Sequence, residues 1–380
     1  MIKRIIIRNF KCFKNETVFD LKKTNYQLLN QNTHGKILKG LLFVGDNASG
    51  KTTALLPLKL LLDLLFKDKE INLVLYQCLF SENQTTDLKF EFEMENHEII
   101  YDFSFFGNSI TEEKLSVDGQ IVLERLKDSG KLILQDNVTF HEVDEALLFL
   151  KRVYFNTRFA ENEILEKWFD YLKKSIYINA YSRQIITYDG ESLIIRKYME
   201  AHSPEKLNRF LSDYHFDYLI QYTKDIEKKG VHFSMEEDEG KMIFFERKGF
   251  DIPMPLFMES TGNQTLLNIL PAVISAVERD GLLIIDEFSS GLHNKLEELL
   301  VKYIMQSSTA TQLFCVSHST NLLSNAILRP DQIYSVEMSD GEGSRLNRFS
   351  DEKPRAAQNL EKMYLSGVFG GIPEYGIDKE

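Results

Sequence analysis

Gly45-Asp46-Asn47-Ala48-Ser49-Gly50-Lys51-Thr52 is the stretch on which the reading of this chain turns. A strand-like run, Leu41-Leu42-Phe43-Val44, precedes it, and a leucine-rich stretch from Ala54 to Phe66, long enough for a helix of several turns, follows it. Strand, glycine loop and helix in that order is the setting in which Gly-x4-Gly-Lys-Thr cradles phosphate. The glycines let backbone N–H groups turn inward, and the helix start adds its positive end. Lys51 then reaches the outer phosphates, and Thr52 holds Mg²⁺. Gly45, Asn47, Gly50, Lys51, Thr52 and Thr53 are the candidate nucleotide contacts, with ATP and Mg²⁺ as the cofactors. An ordinary glycine turn is the bland alternative, and the flanking elements count against it.

Three later stretches fit the same chemistry. The apolar run Leu282-Leu283-Ile284-Ile285 ends in Asp286-Glu287. Asp286 is the candidate to organise Mg²⁺, and Glu287 to orient or deprotonate an attacking water. A second buried run, Gln312-Leu313-Phe314-Cys315-Val316, ends in Ser317-His318, whose imidazole can face the γ-phosphate from the same sheet edge. Between these motifs and the loop, Glu259-Ser260-Thr261-Gly262-Asn263-Gln264 opens a helical stretch from Thr265 to Glu278. Ser260 and Gly262 there make a second anion site. Each motif alone has a plainer reading: a solvated turn, a surface histidine, a helix cap. Their order makes the case.

The remainder organises around these motifs. Strand signals at Ile5-Ile6-Ile7 and Val18-Phe19-Asp20-Leu21, then alternation from about Leu88 to Glu124, predict an antiparallel meander. From about Phe140 to Lys229 the periodicity turns helical, and strand patterns resume after about Val231. The expected fold class is α/β: a phosphate-loop ATPase head with a mixed or parallel core sheet, an antiparallel β lobe and an inserted helical lobe. The expected boundaries are 1–139 for the first part of the core, 140–230 for the insert and 231–380 for the rest. No heptad pattern persists long enough for a long coiled coil. The acidic run Glu236-Glu237-Asp238-Glu239 reads as a solvated turn.

Composition narrows the function classes. A net charge of −12, and 17 Lys/Arg against 17 Asp/Glu between residues 151 and 250, give no support for non-specific attraction to nucleic acid. Cys12, Cys78 and Cys315 lack metal-ligand spacing and are too few for a disulfide framework, which fits a reducing compartment. The most apolar run, Leu55 to Phe66, is too short to span a bilayer, and Met1-Ile2-Lys3-Arg4 leads straight into a strand pattern, so a cytoplasmic protein is expected.

The ordered motifs resemble the ABC-type AAA-family ATPases of prokaryotic defence operons, relatives of the ATPase half of OLD nucleases and of RecF and SMC heads. The likeness includes Asn9-Phe10-Lys11, the phosphate loop, Glu113-Lys114-Leu115 with Arg125, Glu259-Ser260-Thr261-Gly262, and Asp286-Glu287 with Ser290-Gly291-Leu292-His293. It continues through Ser317-His318 to the tail Tyr364-Leu365-Ser366-Gly367-Val368-Phe369-Gly370-Gly371-Ile372-Pro373.

The resemblance implies that Ser260 and Gly262 of one subunit cap the γ-phosphate bound by another, so a homodimer or higher homo-oligomer is expected. It implies that Lys11 touches phosphate. It also implies a regulatory ATPase in an anti-phage module, controlling a separately encoded effector such as a nuclease. A DNA-repair ATPase of the RecF or SMC-head kind is the alternative. An AAA+ remodeller fits worse, because its two phosphate motifs normally lie closer than Lys51 and Asp286, and no Asp-x-Asp pair after Asp286 suggests a built-in nuclease. Phe288, Ser289 and Ser290 depart from the family's linking loop. Neither Gln77 nor Gln135 has the spacing of the family's Mg²⁺-sensing glutamine.

Overall fold

Two sheets clasp the phosphate-loop helix. A computed structural model describes residues 1–81, 85–134, 137–157, 159, 162–228, 230–234 and 240–372. The core sheet runs, in spatial order, Gln184–Thr187, Ile176–Asn179, Leu282–Asp286, Gln312–Val316, Gly40–Gly45, Ile333–Ser339 and Gly343–Arg348. Its five inner strands are parallel and its two outer strands antiparallel. Parallel pairing places Asn179, Asp286, Ser317 and Gly45 at one edge, the carboxyl end of their strands, where α/β sheets bind ligands.

Period-two alternation assigns the faces of this sheet. Leu41, Phe43, Leu282, Ile284, Phe314 and Val316 join the core that contains the helix Lys51–Phe66, whereas Leu42, Val44, Leu283, Ile285, Leu313 and Cys315 join the core that contains the helices Thr261–Arg279 and Asn294–Ser307. The two helical starts most relevant to phosphate therefore pack on opposite faces of the sheet.

The second sheet has eight strands and is antiparallel throughout. The N-terminal strands Ile2–Arg8 and Thr17–Asp20 continue the meander through Thr86–Met94, His97–Phe106, Ser109–Val117 and Gln120–Leu126. Phe90, Phe92, Tyr101, Phe103 and Trp168 are buried beneath it, with edge-to-face contacts such as Phe92 on Trp168. Glu113 has a local structural job here: its carboxylate accepts the Phe149 and Leu150 N–H groups at 2.7 Å each, holding the start of the helix Phe149–Thr157.

Residues 140–230 are less uniformly helical than their periodicity suggests. They contain four helices, Phe149–Thr157, Glu163–Lys173, Ile195–His202 and Glu205–Asp213, among the described residues. They also contain Ile176–Asn179, an inner strand of the core sheet paired in parallel with Leu282–Asp286. A four-residue apolar run buried on both faces has no alternation to announce it.

The tail is tied to the phosphate loop. Phe369 stacks on Phe349 at 3.7 Å between ring centroids, and Tyr364 donates to the Gly371 carbonyl at 3.0 Å. A Cβ on Gly371 would meet the Val336 carbonyl at 3.1 Å and the Gly45 Cα at 3.5 Å, so only glycine allows this approach at its positive φ of 71°. Pro373, Gln135 and the Glu236–Glu239 run lie outside the described residues.

Candidate functional site

The phosphate loop is shaped by two glycines with left-handed φ, Gly45 at 147° and Gly50 at 108°. A Cβ on Gly45 would stand 2.3 Å from the Val336 carbonyl, and one on Gly50 would stand 2.7 Å from both Cys12 Sγ and Ser344 Oγ. The helix that follows has no side-chain cap at Gly50, and the buried Ser49 hydroxyl has no partner. Uncapped N–H groups at a helix start and an orphaned hydroxyl are what a bound phosphate satisfies, so these residues fit a nucleotide.

Lys51 bends back across the loop, its ammonium donating to the Gly45 carbonyl at 3.0 Å and the Asp46 carbonyl at 2.6 Å. Burial pushes its pKa down, while the carboxylates of Glu287, Asp46 and Asp286 pull it up. Asn47 is exposed, its N–H donating to Asp46 Oδ1 at 2.6 Å, and Thr53 is half-buried in the first helical turn.

Across the sheet edge, Thr52 Oγ1 donates to Asp286 Oδ1 at 3.0 Å. A hydroxyl and a carboxylate at this spacing are the hard oxygen donors that suit Mg²⁺. Burial raises the pKa of Asp286, and the hydrogen bond from Thr52 opposes that rise. Its other oxygen, Oδ2, accepts from Asn179 Nδ2 at 3.3 Å. Asn179 is the residue that sequence reasoning missed. It ends the strand beside Asp286, and it places a carboxamide against that carboxylate.

Glu287 and His318 also converge. His318 Nε2 lies 3.5 Å from Glu287 Oε2, and each side chain remains partly open to solvent. Glu287 holds a positive φ of 55°, and the turn closes with Ser290 N–H donating to its carbonyl at 2.9 Å. Phe288 is fully buried, its N–H donating to the Val316 carbonyl, and Ser289 Oγ accepts from His318 N–H at 3.2 Å. The unusual Phe-Ser-Ser segment thus stitches the Glu287 turn to the His318 turn. Leu292 is buried, and the His293 ring caps the next helix by accepting from Lys295 N–H at 3.2 Å.

Lys11 sits at the rim. Its N–H donates to the Tyr76 carbonyl, its ammonium lies 5.5 Å from the Tyr76 ring, and the neighbouring Cys12 packs against Gly50.

Ser260 stands apart from this cluster, at the start of the helix on the other face of the core sheet. Its hydroxyl caps that helix by accepting from Asn263 N–H at 3.3 Å, while Ser260 and Thr261 remain exposed. Gly262 is constrained within the chain: a Cβ there would meet the Gly291 carbonyl at 3.2 Å. Glu259 is fixed by a two-pronged contact from Arg247 at 2.8 and 3.0 Å and by Asn263 Nδ2 at 2.8 Å. Burial acts to raise its pKa, but the hydrogen bonds from Asn263 and Arg247 outweigh it and keep the carboxylate ionised.

Loop, carboxylate strand and histidine strand lie on a sheet with the fold of SMC-head phosphate-loop ATPases. The chain belongs to the family described as "AAA domain, putative AbiEii toxin, Type IV TA system", which matches residues 41–324.

Three solved structures are similar to the chain. An SMC head domain from Thermotoga maritima is 17% identical with a TM-score of 0.49, covering 91% of this chain and 97% of its own. An SMC head bound to the C-winged helix domain of ScpA is 13% identical with a TM-score of 0.51, over 91% and 97%. An SMC head with an extended coiled coil, bound to the C-terminal domain of ScpA derived from Pyrococcus furiosus, is 11% identical with a TM-score of 0.48, over 91% and 95%. No curated protein matches the chain. No described helix is long and apolar enough to cross a membrane.

Proposed function

We propose that this protein is an ABC-type ATPase working as a nucleotide-dependent switch, with each ATP site completed by a second copy of the chain. One observation carries this reading. The Ser260 helix start is exposed and lies on the face of the core sheet opposite the Lys51 helix, so its anion-binding end is offered to solvent. Another molecule's nucleotide would give it a ligand.

In this reading Gly45, Asn47, Gly50, Lys51, Thr52 and Thr53 bind the phosphates of ATP, with Lys11 at the rim. Thr52 and Asp286 hold Mg²⁺, which supplies charge neutralisation at the phosphates. Glu287 takes the proton of the attacking water, and His318 holds Glu287 and the γ-phosphate side in register. Ser260 and Gly262 complete the site in trans. Binding joins two copies and hydrolysis releases them, so a partner that grips one arrangement more tightly is controlled by nucleotide.

The family description points to a toxin–antitoxin or related defence setting, with a separately encoded effector and a cytoplasmic location as the finer expectation. The test is the mass in solution of Glu287→Gln with ATP and Mg²⁺, compared with Lys51→Ala under the same conditions. Dimer in the first and monomer in the second supports the switch; the same mass in both overturns it. Binding of the neighbouring gene's product to these two proteins then tests the effector, and equal affinity for both states would remove the switching role.

A further inference from the structure

Glu297 is a carboxyl without an evident reason to be where it is. It stands one turn into the helix Asn294–Ser307 and is completely buried. Its Oε2 accepts from the Ser317 hydroxyl at 3.0 Å, while Oε1 has no hydrogen-bond partner. A buried carboxyl oxygen without a protein partner costs more than an apolar side chain of the same size, so stability does not account for it. Its neighbours do suggest a role. Ser317 immediately precedes His318, and Ser317 Oγ also accepts the Ser319 N–H at 3.0 Å, bridging the backbone on both sides of the histidine. Ser317 N–H donates to the Phe43 carbonyl at 3.3 Å, on the strand that feeds the phosphate loop.

We propose that Glu297 is a positioning residue for His318, acting through Ser317 to fix the turn that holds the imidazole beside Glu287. This rests on the hydrolytic reading given above. Glu297 touches no reacting atom. It sets where the imidazole stands, and a displacement of the order of an ångström there is enough to slow chemistry by one to two orders of magnitude. Burial raises its pKa to about 7, and the hydrogen bond from the Ser317 hydroxyl opposes that rise. Glu298, on the same helix, adds a smaller like-charge push, and the Cys315 thiol is itself pushed up by burial and, to a lesser extent, by the Glu297 charge.

Three variants separate positioning from packing. Ser317→Ala removes the link, Glu297→Leu removes the acceptor at similar volume, and Glu297→Gln keeps an acceptor for Ser317. Ser317→Ala and Glu297→Leu are expected to lower kcat about tenfold with KM for ATP little changed, and Glu297→Gln to recover most of the loss. The second readout is the His318 Cε1 resonance in protein carrying ¹³C-labelled histidine, assigned by its absence in His318→Gln. Its shift and titration midpoint should move in Ser317→Ala and Glu297→Leu while the other histidines stay put. Unchanged kcat together with an unchanged His318 resonance in Ser317→Ala would overturn the proposal. Loss of turnover in wild-type protein would instead count against the hydrolytic reading, and the resonance would still report on Glu297. Thermal melting screens each variant for folding, and because Ser317→Ala removes only one hydroxyl it remains decisive if Glu297→Leu fails to fold.

Discussion

Thr52 and Asp286 are 234 residues apart in sequence, yet a hydrogen bond of 3.0 Å joins their side chains. The first opens the phosphate-loop helix and the second ends a strand two places away across the core sheet. That bond gathers two motifs, each ambiguous alone, into one metal-competent corner.

Lys51→Ala removes the side-chain cation that lies across the loop. We expect ATP affinity to fall about 100-fold or more, since charge-assisted hydrogen bonds to phosphate contribute roughly 1.5–3 kcal/mol each and more than one is lost. Calorimetric titration with Mg²⁺-ATP checks this, and unchanged affinity would remove the loop assignment.

Glu287→Gln keeps the shape of the side chain but cannot take a proton. Turnover should drop by about 10²–10⁴ while ATP is still bound. Phosphate release at saturating ATP is the measurement, and near-normal rates would mean that another group is the base.

Ser260→Arg should block hydrolysis but leave ATP binding to the monomer intact, because the change lies on the face opposite the loop helix. Mixed with Lys51→Ala, it should regain activity, since one interface of each mixed dimer then pairs an intact Lys51 with an intact Ser260. Failure to recover in verified mixed dimers argues against completion in trans.

Asn179→Ala should lower turnover about tenfold and raise the Mg²⁺ concentration needed, by removing the carboxamide at 3.3 Å from Asp286. Asn179→Asp should be worse, because a second carboxylate beside Asp286 would raise its pKa further. A magnesium titration of ATPase rate distinguishes the two, and equal behaviour of both variants with wild type would leave Asn179 without a role.

Glu297 also predicts a pH dependence of stability. Its pKa rises from 4.5 in the unfolded chain to about 7 in the fold, so between those values the native state binds more protons. Stability from this group is retained below pH 4.5, declines as pH rises toward 7 and is lost above it, a difference on the order of a few kcal/mol. Glu297→Gln should therefore flatten the denaturation profile across that window and be more stable than wild type at pH 8. Parallel profiles would show that Glu297 titrates normally.

Much of the site was legible because local signals carried it. Loop, helix and two apolar strands ending in Asp-Glu and Ser-His are short-range patterns of residue type and period, and they specified a phosphate-loop ATPase head. Asn179 escaped because it ends a four-residue strand buried on both faces, within a stretch whose surroundings are helical. Arg247 and Glu297 escaped because a charged residue's partner cannot be read from its neighbours in sequence. The tertiary structure alone decided that the Lys51 and Ser260 helices pack on opposite faces of one sheet, that Asn179 sides with Asp286, and that Glu297 turns inward to Ser317. Strand order and the two faces of one sheet make those choices, and both arise from pairings between segments far apart along the chain.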